Sequence, residues 1–256
     1  PERILSWFGR LNYSLLDRYL LTLTFRADGS SKFSPENRWG YFPAAAFAWR
    51  VSEEPFMNDV RWLDDLKLRL SYGSVGNDGI SSDLWSQTWT ASDVNYTIGG
   101  NNNVSYDLAS TMANPDLKWE TTITRNLGID FGVLDGKLSG TLDLYWNTTK
   151  DLLMQTTLPG ITGFTSTYDN IGQTSNKGIE FSFNATLVET ADWGLYLGAN
   201  INFNRNNVDA LAEGVTGIYG SGWFSSGIPA NDYGLYVGQP VGLVRGLVYD
   251  GFYTPE

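Results

Sequence analysis

The sequence predicts an all-β protein, built as an antiparallel, up-and-down transmembrane β-barrel wall with long loops on one side. Three observations predict it. Apolar and polar residues alternate with period two through eight separate stretches, the pattern of a strand with one apolar and one wet face. The connections between those stretches are short and long in turn. In an up-and-down sheet this puts every tight turn at one rim and every long loop at the other. The polar face carries Asp, Glu, Arg and Asn at strand centres, as a wall facing a water-filled lumen does.

The first stretch, residues 3–15, sets Leu5, Trp7, Gly9, Leu11, Tyr13 and Leu15 against Ser6, Phe8, Arg10, Asn12 and Ser14. A very short turn at Leu16-Asp17-Arg18 leads to a second strand over about 19–28, with Leu21, Leu23, Phe25 and Ala27 opposite Thr22, Thr24, Arg26 and Asp28. Residues 29–37 read as a polar loop. A third strand over 38–51 places Tyr41, Phe47, Trp49 and Val51 on one face and Gly40, Ala44, Ala46 and Ala48 on the other. Pro43 is tolerable near a strand end. Residues 52–64 form a compact connection with a helical turn after Glu53-Glu54-Pro55. The fourth strand, about 65–74, sets Leu66, Leu68, Leu70 and Tyr72 against Lys67, Arg69 and Ser71. A long loop rich in Asn, Ser, Asp and Gly spans 75–117.

The fifth and sixth strands flank Asp135-Gly136, a strong hairpin signal. On the sixth, Leu138, Gly140, Leu142, Leu144 and Trp146 alternate with Ser139, Thr141, Asp143, Tyr145 and Asn147. On the fifth, Arg125 breaks the pattern by sharing the apolar face with Ile123, Leu127 and Ile129; a bulge or a place near the headgroups would account for it. A second long loop, 151–175, precedes a seventh strand in which Ile179, Phe181, Phe183, Ala185 and Leu187 alternate with Glu180, Ser182, Asn184, Thr186 and Val188. After a connection at 189–193, the eighth sets Leu195, Leu197, Ala199, Ile201 and Phe203 opposite Tyr196, Gly198, Asn200, Asn202 and Asn204. No clean period persists over 205–256. Strands of about 10–13 residues suit a tilted bilayer span better than the soluble average of about 5–6. Trp7, Tyr13, Trp49, Tyr72, Trp119 and Trp146 fall on outward faces near strand ends, where an interfacial girdle is expected.

Composition narrows the chemistry. With no Cys and no His among 256 residues, the chain lacks disulfides, thiolates, the commonest metal ligand and the usual general base. A formal charge of −11 argues against a nucleic-acid partner. No run of 18 apolar residues exists, so no helix crosses a membrane, which leaves strands free to do so. Asp130, Asp143 and Glu180 would serve as a carboxylate pair for glycoside hydrolysis, or simply as solvated lumen groups paired with Arg or Lys. The second reading carries, so no enzyme activity, cofactor or metal is expected. The candidate ligand contacts are the loop aromatics Trp85, Trp89, Tyr96, Tyr219, Trp223 and Phe224, in polar, Gly-rich segments. Their flat rings would stack on a sugar, or pack the loops against one another or against a lid. The competing class is a soluble, secreted carbohydrate-binding β protein, for which the outward girdle residues become sandwich core.

Several stretches together resemble the C-terminal barrel of the SusC/RagA family of TonB-dependent outer-membrane transporters. They are Arg38-Trp39-Gly40-Tyr41-Phe42-Pro43-Ala44, Trp49-Arg50, Glu54-Pro55-Phe56, Leu66-Lys67-Leu68-Arg69 with Ser71-Tyr72-Gly73, and Gly76-Asn77. Asn114-Pro115-Asp116-Leu117-Lys118-Trp119-Glu120, Asn170-Ile171-Gly172 and Asn176-Lys177-Gly178-Ile179-Glu180 continue the series. Their order and spacing cover nearly the whole chain. The resemblance implies a barrel of about 22 strands around an N-terminal plug, of which residues 1–256 supply about eight strands, without the plug or the barrel remainder. It further implies the bacterial outer membrane, a SusD-like surface lipoprotein as lid, TonB as the source of energy, and glycan or peptide as cargo. Eight strands with so many charged and small lumen-facing residues would not fill a small closed barrel. An open sheet is therefore expected, its first strand near Ile4 unpaired with the one near Asn200.

Overall fold

The computed structural model describes residues 2–98, 101–220, 233–244 and 251, with backbone only at 93–98, 101–104 and 219–220. Four strands, β1 (Ile4–Leu15), β2 (Tyr19–Ser30), β3 (Trp39–Arg50) and β4 (Leu63–Asn77), follow one another as a meander. The long connection after them holds a hairpin, β5 (Trp89–Ile98) and β6 (Asn101–Leu108), and the two-residue β7 (Thr111–Met112). The meander resumes with β8 (Glu120–Val133) and β9 (Leu138–Lys150). Then β10 (Leu153–Thr157) and β11 (Ser166–Asn170) occupy the next long connection, ahead of β12 (Gln173–Glu189) and β13 (Gly194–Ala210). The short strands β14 (Gly217–Gly220), β15 (Tyr233–Tyr236) and β16 (Leu243–Val244) form a small sheet of their own.

The main sheet has eight strands in the order β1-β2-β3-β4-β8-β9-β12-β13, all antiparallel. Among the described residues β1 pairs only with β2 and β13 only with β12, so the sheet is open as expected. Two hairpins are set by tight turns of the mirror-image type that suits twisted strands. At the first, Leu16 and Asp17 have φ of 54° and 53°, and the Arg18 N–H donates to the Leu15 carbonyl at 3.1 Å. At the second, Asp135 and Gly136 have φ of 57° and 76°, and the Lys137 N–H donates to the Leu134 carbonyl at 3.2 Å.

The tight connections gather at one rim. The Gly136 N–H donates to Asp64 Oδ2 at 2.8 Å, Leu134 N–H to the Trp62 carbonyl at 3.0 Å, and Arg50 Nη1 to the Asp17 carbonyl at 3.2 Å. The long connections gather at the other, where Ser30 Oγ bonds Asp78 Oδ2 at 2.7 Å and Asn170 bonds Lys118. Asp135 and Asn170 therefore lie at opposite ends of the sheet.

The faces follow the period-two reading. On the outer face Leu68, Ile129, Leu142, Phe181 and Ile201 form one direct cross-strand row, and Leu70, Leu127, Leu144, Ile179 and Phe203 the next. Among the described residues the shorter sheets lie in the long connections and after β13, and outer-face side chains such as Leu144, Ile179 and Phe203 are exposed. That arrangement disposes of the sandwich reading, which needs a second sheet over the apolar side.

Three expectations need correction, and the alternative left open at Arg125 is resolved. Strands β4, β12 and β13 run further toward the long loops than the alternation indicates, because residues such as Asn77, Ser175, Asn176 and Asn207 are polar on both faces once the wall leaves hydrocarbon. The 75–117 segment is not one structureless loop, since it carries β5, β6 and β7. Trp119 does not join the outer girdle. It lies just before the regular ladder of β8, is only 8% exposed, and turns into a buried apolar cluster with Phe33, Phe42, Ile80 and Leu117. Arg125 needs no bulge: the β4–β8 register runs unbroken through it, and it pairs directly with Tyr72 and Trp146 near the long-loop end.

Candidate functional site

The long-loop rim is assembled from the stretches that the sequence singled out. The β3–β4 ladder stops at Ala44–Gly73, and beyond it Phe42 lays its ring across two glycines. A Cβ at Gly40 would stand 2.4 Å from Phe42 Cζ, and one at Gly76 2.0 Å, so only glycine fits beneath the ring. Trp119 meets Phe42 edge-on at 5.5 Å and Phe33 at 5.4 Å, and its indole N–H donates to the Arg38 carbonyl at 2.9 Å. Two asparagines hold the backbone around this core. Asn170 Oδ1 accepts the Lys118 N–H at 2.8 Å while its Nδ2 donates to the Lys118 and Asp151 carbonyls, each at 2.9 Å. Asn114 Nδ2 donates to the Tyr168 carbonyl at 3.0 Å, and its Oδ1 accepts the Asp116 N–H. These residues are scaffold; they tie the connections together so that the loops above stand at fixed positions.

The lumenal face is a charge mosaic. Lys67 and Asp130 are cross-strand partners joined at 2.7 Å. Arg69 binds Asp130 through Nε and Nη2 and reaches over Gly128 to Asp143 at 3.1 Å. The register explains the reach: Arg69, Gly128, Asp143, Glu180 and Asn202 form one direct row, and a Cβ at Gly128 would stand 2.6 Å from Arg69 Cζ. Further along it, Glu180 accepts from Asn202 at 3.3 Å beside a shallow groove of about 290 Å³. Asp130 and Asp143 thus both face cations, and Asp143 is in addition the direct cross-strand partner of Glu180. The Arg69 bridge was missed from sequence, although the in-register Lys67–Asp130 pair and the intervening glycine were the signal for it.

At the short-turn rim Glu54 gathers Tyr19, Trp49 and Arg18. The Tyr19 hydroxyl donates to Glu54 Oε1, the Trp49 indole donates to the same oxygen at 3.0 Å, and Arg18 Nη1 meets Oε2 at 3.3 Å. The Tyr19 bond above all, then that of Trp49, holds the Glu54 carboxyl below its ordinary range against the opposing effect of burial, with Arg18 adding its charge. Trp49 therefore sits at the short-turn rim with its polar end anchored.

The candidate ligand contacts fall apart into three groups. Trp85 is half-buried and donates its indole N–H to the Ser31 carbonyl at 3.3 Å, tying one long connection to another. Trp89 opens the β5–β6 hairpin opposite Leu108 and is 64% exposed. Tyr106, opposite Ala91 on the same hairpin, is also exposed and was not singled out in the sequence. Backbone places Tyr96 near the tip of that hairpin and Tyr219 in β14. Trp223 and Phe224 lie outside the described residues.

Comparison with known proteins agrees with this architecture. Residues 3–254 match the family model described as TonB dependent receptor-like, beta-barrel. The chain is 43% identical over 213 residues to the TonB-dependent receptor SusC of Bacteroides thetaiotaomicron, covering 82% of this chain and 21% of SusC. It is 37% identical to the TonB-dependent receptor P26 of Formosa agariphila, covering 99% of this chain and 25% of that receptor. The structure of the RagAB peptide transporter superposes with a TM-score of 0.81 at 30% identity, over 94% of this chain and 25% of that one. The chain thus spans about a quarter of the length of these relatives. It belongs to the TonB-dependent receptor-like β-barrel family, and its eight-strand sheet is a section of a larger barrel wall in the bacterial outer membrane.

Proposed function

We propose that this wall section serves a TonB-dependent importer that passes bulky glycans or peptides across the outer membrane. In this reading residues 1–256 are part of the C-terminal barrel, and a plug and the TonB-contacting segment belong to the rest of the same polypeptide. A SusD-like lipoprotein covers the long-loop rim. The observation that carries the reading is the lumenal row from Arg69 to Asn202: a wide, charged and hydrated surface suits a passage filled by protein and polar cargo, and does not suit a dry core. The likeness to SusC supports TonB dependence, and the likeness to a peptide transporter supports peptide as one class of cargo. Trp85, Trp89, Tyr96, Tyr219, Trp223 and Phe224 are the proposed ligand contacts, and Trp89 presents the most open ring of those whose side chains are described.

The test is accumulation of a labelled library of oligosaccharides and peptides in cells producing the full-length receptor, with and without TonB. TonB-dependent uptake of a bulky member is the expected result, and uptake that ignores both TonB and the receptor overturns the proposal. Trp89→Ala should raise the half-saturating concentration of that cargo while leaving barrel assembly unchanged.

A further inference from the structure

One outer-face row differs in chemistry from those on either side of it. Tyr72, Arg125, Trp146, Lys177 and Arg205 are direct cross-strand partners from β4 to β13. Toward the short turns the adjoining row is wholly apolar, Leu70, Leu127, Leu144, Ile179 and Phe203. Toward the long loops it is Ser74, Ile123, Thr148, Ser175 and Asn207, mostly polar. The middle row is the seam at which the wall leaves hydrocarbon and enters the headgroups, and the long-loop side is the outer leaflet.

Three of the five residues are cations, all exposed, and among the described residues none of them joins an ion pair. Arg125 stands 5.9 Å from the Tyr72 ring centre and donates to Thr148 Oγ1 at 3.4 Å, so its guanidinium leans toward the loops. The carboxylate on the loop side, Asp209, is already occupied by Gln173, Ser175 and Asn207. Two grooves flank Trp146. One of about 250 Å³ has Arg125 at its head and Leu70, Leu127 and Leu144 along it; the other, of about 430 Å³, has Lys177 and Arg205 over Ile179 and Phe203. The cations form a patch and not a belt, since the outward positions of β1, β2 and β3 hold Leu, Trp, Tyr, Phe, Ala, Gly and Pro with no Lys or Arg.

We propose that this row binds the phosphate of an outer-leaflet lipid headgroup, with acyl chains lying in the grooves on either side of Trp146. Arg supplies forked donors to phosphate oxygens, Lys a compact charge, and the indole fixes the depth of the headgroup. Unpaired cations at the seam meet their counter-charge in the lipid, which their own sheet does not provide.

Lipid retention by the purified full-length receptor, read by native mass spectrometry, tests this with lipid A and its fully dephosphorylated form as probes. Lipid A should be held about a hundredfold more tightly than the dephosphorylated form, and the Arg125→Gln/Lys177→Gln/Arg205→Gln variant should lose that preference. Heat-modifiable migration on gels reports whether the variant has kept its barrel. Should it not, Lys177→Gln alone carries the test, with about a fivefold loss expected. Equal retention of both lipids, or an unchanged preference in a folded variant, overturns the proposal. Displacement of lipid A by millimolar inorganic phosphate also overturns it, by assigning the row to free anions.

Discussion

Arg69 reaches Asp143 across a strand that separates them, and it does so over the bare backbone of Gly128. The two charges are not neighbours in the sheet; β8 runs between β4 and β9, and glycine is the only residue that leaves the guanidinium room to lie on it. Gly128→Ala puts a methyl against the far ends of two flexible side chains, so Arg69 swings aside and the half-exposed pair is lost. The expected cost is under about 1 kcal/mol. Gly76→Ala instead drives a methyl into the Phe42 ring inside the packed loop-rim core and should cost about 1–3 kcal/mol. Urea unfolding of the two variants side by side checks the ranking, and equal losses would mean that the glycines do not act through these contacts.

Asn170 imitates a strand residue with its side chain, returning to Lys118 both halves of a backbone pair. Asn170→Ala removes those bonds and the one to the Asp151 carbonyl, so the β10–β11 connection should loosen from the start of β8. Protease should then cut the 151–172 segment faster while the eight-strand wall stays intact. Asn170→Asp keeps the acceptor and loses the donor, and should fall between wild type and Asn170→Ala.

Leu142 lies in an outer row that is apolar from Leu68 to Ile201. Leu142→Arg should destabilise the barrel by about 2–4 kcal/mol if that row is near the bilayer midplane. Folding titrations in lipid vesicles measure it, and a neutral result would take this face out of hydrocarbon.

Glu54 gives the short-turn rim a dependence on pH. Its folded carboxyl is held below the ordinary value of 4.5, mainly by the Tyr19 hydroxyl. A depressed folded pKa means that the clamp contributes fully above the unfolded value and is lost as pH falls through the folded one. The melting difference between wild type and Glu54→Gln should therefore be constant near neutrality and shrink in acid. A difference that grows on acidification would reverse the sign and refute the clamp.

How far the sequence could be read depends on which side of the membrane boundary a residue sits. Within hydrocarbon the alternation is enforced, so the faces of Leu142, Asp143, Phe181 and Glu180 were legible to the residue. Asp135-Gly136 announced its turn because positive φ favours those residue types, whereas Leu16 takes the same geometry with no local signal. Beyond the boundary both faces are wet, the period vanishes, and the true ends of β12 and β13 could not be seen. Trp119 was misassigned by extending β8's parity one residue past its ladder, where the loop core and not the sheet decides its direction. The loop aromatics remained the least legible, because nothing local tells a ring that stacks on a ligand from one that packs connections together.

The separation of tight turns from long connections also bears on how such a receptor can change over time. Each hairpin has its register set at the short-turn rim, by Leu16-Asp17 in one case and Asp135-Gly136 in another. An insertion in a long connection therefore shifts no strand by even one residue, and leaves every outward side chain facing lipid. New contacts at the long-loop rim can be acquired by lengthening or replacing loops while the wall is inherited unchanged. The opposite edit, one residue added at a tight turn, would turn a whole strand inside out.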